Sequence, residues 1–205
     1  MISLDEIKKK ADPGYKAGRN HIDMGHPLSG EKVMDALSDS YSIYYDFAGA
    51  NTESPKFKVT EGFDAEARFD SKGEQYFLIK AAKVADIRSA EYVYFKKVQH
   101  LTAGLFTELD NKAWETGMAK VTPGPDHKNT DVVLVIVADT VDEDAERMVK
   151  KASHSKNYKF ALHGYSNYRL VAVELEKGIA YFNNQARILM KLFGNILNEE
   201  KEKQK

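Results

Sequence analysis

The sequence predicts an α/β (α+β-like) domain: a single mixed β-sheet with a parallel βαβαβ section, antiparallel edge strands and helices packed on the sheet. Three observations carry this. Residues 132–138 are apolar at every position between Asp131 and Asp139, the pattern of a strand covered on both faces. Strand-like and helix-like periodicities alternate through the second half of the chain, which is the rhythm of parallel strands joined by crossover helices. Short alternating segments in the first half suit an antiparallel meander.

Element by element, residues 1–30 read as an N-terminal extension. Ile2, Leu4 and Ile7 suit a short amphipathic helix, and Pro13, Gly14, Gly18, Gly25, Pro27 and Gly30 then break any long element. Ser29 is placed to cap a helix whose buried stripe is Val33, Leu37, Tyr41 and Tyr44. Residues 49–55 are a break. Residues 57–61, 65–69 and 75–80 read as three strands, with a hairpin turn at 70–73, where Gly73 accepts positive φ. Residues 92–98 are aromatic and β-branched and read as a strand. Residues 102–119 carry Leu105, Phe106, Leu109 and Ala113 at helical spacing, with Trp114 packing on the sheet.

Pro123, Gly124 and Pro125 make 121–129 a loop. The apolar strand 132–138 follows. Residues 142–152 form a helix with acids first and bases last, matching the helix dipole. Residues 158–162 and 170–175 read as strands, and a turn at 176–178 leads to a further strand at 179–182. Asn183 or Asn184 caps a last helix bearing Ile188, Leu189, Leu192, Phe193, Ile196 and Leu197. The domain is then 31–198, followed by a charged tail at 199–205. The aromatics Tyr41, Tyr44, Tyr45, Phe47, Tyr76, Phe77, Tyr92, Tyr94 and Phe95 fall in these helix and strand patterns and read as core and sheet face.

Composition narrows the function. The 205 residues include no cysteine, which removes disulfides, thiolate metal sites and cysteine nucleophiles. A net charge of −1 argues against nucleic-acid binding by overall positive charge. The stretch 147–159 does hold Arg147, Lys150, Lys151, His154, Lys156 and Lys159, but no nucleic-acid motif accompanies it, so no nucleic-acid partner is expected. No secretory signal is visible at the start, and no apolar run approaches the roughly 20 residues of a membrane helix. The expectation is a cytoplasmic protein without a membrane partner.

The expected topology makes a candidate site. If strands 92–98, 132–138 and 158–162 run parallel, ligands bind beyond their carboxyl ends. Those ends carry His100, Asp139 and His163, and the chain returns through Tyr165 and Arg169. A His–Asp–His group suits metal ligation or acid–base work, and Arg169 suits an anion. The same residues also suit plain roles: a turn at His163, a helix cap at Asp139, a surface ion pair at Arg169. His21, Asp23 and His26 offer a second metal-ligating set, without the helical spacing of a zinc-protease motif. Phosphate-binding, dinucleotide and nucleophile-elbow motifs are missing. Asp70 and Lys80 flank a nuclease-like hairpin, but Leu78 stands where an acid is needed.

No cofactor is indicated. The first functional reading is therefore a small-ligand-sensing or protein-interaction domain without catalysis. It self-associates through the arm and the tail, and its ligand is a small molecule or an anion. The second reading is an enzyme on a small or phosphorylated substrate, metal-assisted, using His100, Asp139, His163 and Arg169.

Overall fold

The protein is described by a computed structural model covering residues 16–49, 56–76 and 83–202. Its strands are β1 (Lys16–Ala17), β2 (His21–Asp23), β3 (Asp46–Gly49), β4 (Ala65–Tyr76), β5 (Lys83–Leu101), β6 (His127–Val141), β7 (Ser155–Asn157), β8 (Tyr165–Glu174) and β9 (Ile179–Phe182). Its helices are α1 (Gly30–Ser42), α2 (Ala103–Ala119), α3 (Glu143–Lys151) and α4 (Met190–Glu202), the last entered through a 3-10 turn at Gln185–Leu189.

The apolar run at 132–138 lies in the middle of β6 and is wholly buried. β6 pairs in parallel with β5 on one side and β8 on the other. Parallel neighbours need a crossover, and α2 and α3 supply the two crossovers. Both pack on the face that carries Tyr94, Leu134, Ile136, Leu170 and Ala172, through Phe106, Leu109, Ala113, Ala145 and Val149. α1 and α4 cover the opposite face, placing Val33, Leu37, Phe193 and Leu197 over Val93, Phe95, Val133, Val135 and Val171. The result is one mixed sheet between helices, in the order β1-β2-β9-β8-β6-β5-β4-β3, with β7 on the free half of the β8 edge.

Local chemistry explains the element ends. Ser29 and Thr102 cap α1 and α2 by accepting first-turn N–H groups. α3 has Glu143, Asp144 and Glu146 in its first turn and Lys150 and Lys151 in its last, as the dipole favours. Asn183 joins several elements. Its Oδ1 accepts the N–H groups of Leu170 and Ala186, and its Nδ2 donates to the carbonyls of Ala152 and Tyr168.

Four expectations are corrected. Residues 70–73 do not turn: β4 runs on through them, pairing Ser71 with Ser89 and Gly73 with Ile87, because β5 is long enough to hold them. Residues 57–60 form no strand; the outer partner of β4 is β3 instead. Residues 16–17 and 21–23, read as part of an extension, are edge strands beside β9. Residues 158–162 are not a strand. Lys159, Phe160 and Ala161 take φ of 45°, 54° and 67° and close a left-handed turn, leaving Phe160 100% and Leu162 78% exposed. The apolar composition that reads as a strand is presented at a loop tip. Gly164 then turns with φ +80°, where a Cβ would stand 2.4 Å from the His127 carbonyl oxygen. The expected helix at Ile2–Ile7, most of the 49–55 break, residues 77–80 of the third short strand (Phe77, Leu78 and Lys80 included) and the end of the charged tail lie outside the described residues.

Glu66 is fully buried and accepts from Thr60 and Arg68 at 2.8 and 2.7 Å and from Lys120. Burial alone would push its carboxyl up; the Arg68 and Lys120 bonds outweigh that and hold it below the usual range. A lowered folded value stabilises above the unfolded carboxyl's own pKa, and the gain is lost as pH falls through the folded value. Glu66→Gln should therefore cost about 1–3 kcal/mol at pH 7 and flatten the acid limb of a stability–pH curve. Asn183→Ala, which removes the side-chain partner of the Leu170 N–H and of the Tyr168 and Ala152 carbonyls, should cost about 2–4 kcal/mol in urea unfolding.

Candidate functional site

The five residues expected at one rim do not meet. Cross-strand pairs share a face, and His100 pairs with Thr140, so His100 stands on the α2/α3 side of the sheet. There its Nδ1 lies 2.6 Å from Thr140 Oγ1 and its Nε2 3.1 Å from Asp142 Oδ1. Asp139, one position away, faces the other side, beside Asp64, Lys97 and Gln99 at a 370 Å³ depression. His163 lies at the opposite end of the sheet, just before β8, where His127 Nδ1 donates to its carbonyl at 2.9 Å. Tyr165 pairs with Asn129 at the amino end of β6, roughly 35 Å along the strand from His100 at about 3.3 Å per residue. The cause is the turn at 158–162. The third parallel strand begins after His163 rather than ending before it.

Arg169 occupies the middle of β8 on the α1/α4 face. Its guanidinium donates to Glu91 at 2.8 Å and to Asp131 at 2.9 Å. Tyr45 donates to the other Glu91 oxygen at 2.9 Å. Burial pushes the Glu91 carboxyl up, and the Arg169 charge works against that shift. Burial and the Glu91 charge also raise Tyr41 and Tyr45. Two carboxylates already neutralise this arginine, so it is not free to clamp an anion. His21 and Asp23 sit on β2, and Asp23 accepts the Gly25 N–H at 2.8 Å. Among the described residues no group of three or more His, Asp or Glu side chains stands close enough to hold a metal ion, so His21, Asp23 and His26 are not gathered into one cluster.

A different group does converge, in the groove between α2 and α3. Both helices return from the carboxyl end of the sheet, so they run side by side in the same direction. Ala103, Phe106 and Asp110 line one wall, and Asp144, Arg147, Met148 and Lys151 the other; residues 152–154 close the foot of a space of about 530 Å³. At that foot His154 Nε2 lies 2.7 Å from Asp110 Oδ2. The imidazole is stacked on Trp114 at 5.3 Å and 17°, and it meets the edge of Tyr168 at 4.9 Å. Asp110 is 9% exposed, and its buried Oδ1 is left to the facing Tyr168 hydroxyl, which has no other partner. Burial and the facing Asp110 charge raise Tyr168 well above the ordinary phenol value. Among the described residues no hydrogen bond reaches His154 Nδ1.

The arrangement is a buried carboxylate that fixes an imidazole against two aromatic rings and leaves one ring nitrogen uncommitted. Such a pair can bind, orient or exchange a proton with a guest in the groove. A family model described as Domain of unknown function (DUF8052) matches residues 29–195. The chain belongs to that family. The matched stretch includes every residue that lines the groove. No curated protein and no solved structure matches the chain.

In the sequence His154 stands among basic neighbours, Lys150, Lys151, Lys156 and Lys159, which hides its partnership with Asp110. One signal was available: Asp110 lies on the apolar stripe of its helix, among Phe106, Leu109 and Ala113, where an acid needs a partner. Two substitutions separate the roles. Tyr168→Phe removes the buried hydroxyl that faces Asp110 and should change unfolding free energy by no more than about 1–2 kcal/mol. His154→Ala leaves the Asp110 carboxylate alone and should cost about 2–4 kcal/mol. Chemical denaturation reads both.

Proposed function

We propose that this protein is a small-ligand-binding domain without catalysis, and that the groove between α2 and α3 is its ligand seat. The observation that carries the reading is the His154 imidazole, fixed by Asp110 and Trp114 at the foot of a 530 Å³ groove with its Nδ1 uncommitted. A ring nitrogen held in a fixed direction beside an open space is available to a guest that enters it. The volume lies in the range of small-molecule sites, and the lining fits their usual pattern of apolar walls with a few convergent polar groups. The sequence adds no catalytic motif to this.

Self-association and a cytoplasmic setting belong to the same proposal. The first is supported by exposed Ile43, Tyr44, Phe160 and Leu162, apolar side chains that a second copy would cover. The second is supported by a chain free of cysteine. No helix among the described residues is long and apolar enough to cross a membrane.

The chain has one tryptophan, Trp114, stacked on His154, so its fluorescence reports occupancy of the groove. A fragment library screened by Trp114 emission should yield saturable binders. Ala103→Phe, which fills the groove from its upper end, should weaken them at least tenfold while the fold is retained by circular dichroism. Binders indifferent to Ala103→Phe place the seat elsewhere.

A further inference from the structure

The two ends of the groove differ, and the difference selects a class of guest. Ala103 and Asp144 lie in the first turns of their helices. Asp110 and Lys151 lie seven residues further on, about 10 Å down the groove at 1.5 Å per residue. Between them the walls are Phe106 and Met148, aromatic and thioether surfaces that pack against an apolar body. The foot carries Asp110, His154 and Lys151, and the upper part carries Asp144 and Arg147. Asp144 is engaged by Arg147 at the exposed rim, whereas among the described residues no carboxylate pairs with Lys151. His154 brings its uncommitted Nδ1 to the same foot, held in place by Asp110 and by Trp114.

An imidazole fixed in this way recognises an acid in either protonation form. As a bare nitrogen it takes the acid's proton, and as an N–H it donates to the conjugate anion. In both cases the bound pair is imidazolium and anion. Asp110 on the far nitrogen and Lys151 beside the anion complete an alternating row of charges, Asp110, His154, guest and Lys151. The charged groups that face the imidazole from the packed elements are Asp110 on α2, and Lys151 and Arg147 on α3, with the Tyr168 hydroxyl on β8.

We infer that the groove takes an amphiphilic anion: a carboxylate or phosphate monoester with its head at His154 and Lys151 and an apolar body between Phe106 and Met148. This deepens the ligand-seat reading and rests on it.

The test compares guests that share a body and differ in head. Benzoate, phenyl phosphate and the neutral benzamide are titrated into the full chain while Trp114 emission is followed. Benzoate or phenyl phosphate should bind at least tenfold more tightly than benzamide, and the stronger of the two identifies the head. Lys151→Gln, an exposed change that spares the packing, should cut the anion preference severalfold, and His154→Gln should abolish it. Equal affinity for benzamide and both anions overturns the anion inference while leaving the ligand seat intact. An anion preference that survives both substitutions overturns the assignment of its head to His154 and Lys151. No saturable response to any of the three overturns the ligand seat itself.

Discussion

A single strand sets the architecture. β6 is apolar on both faces through 132–138, and a strand of that kind is stable only with a partner on each edge and a layer on each side. Its edges are taken by β5 and β8 in parallel. Parallel pairing obliges two crossovers, and both crossover helices fall on one face. The other face is left to the elements outside the parallel core, α1 and α4. The antiparallel strands then extend a sheet whose centre is already fixed.

The candidate site follows from that constraint. Two crossover helices on one face lie side by side, and a groove forms where α2 and α3 diverge. The connection from α3 to β8 passes across the foot of the groove and delivers His154 to Asp110. Asn183 ties this connection to β8 through the carbonyls of Ala152 and Tyr168. The residue before Ser153 and His154, and the tyrosine beneath the imidazole, are thus held by one buried amide. The groove is shaped by covalent connectivity, and its apolar walls, Phe106 and Met148, also pack on the core beneath it.

Much of this was legible in the residues themselves. The β6 run, the helical stripes from Val33 to Tyr41 and from Phe106 to Ala113, and the charge order of α3 each state their element because burial periodicity is a local property. The segment at 158–162 was not legible. Its apolar residues suit a strand, and only the left-handed backbone of three successive residues shows that they form a tip. The tip puts the start of β8 after His163, so His163 and Tyr165 lie at the end of the sheet opposite His100. The hairpin turn at 70–73 failed for a related reason: Gly73 permits a turn, but pairing with the long β5 decides against one. The Asp110–His154 pair spans 44 positions, and no local pattern links residues so far apart. Asp110 on an apolar stripe was the only trace of it.

The central claim is that Asp110 and His154 form the foot of a ligand seat, and intermolecular NOEs test it most directly. With benzoate bound in solution, ring protons of the guest should show NOEs to the Phe106 ring, the Met148 methyl group and Trp114. NOEs to the α1/α4 side of the sheet around Arg169 instead, or a bound guest with none to the α2/α3 groove, would contradict this assignment.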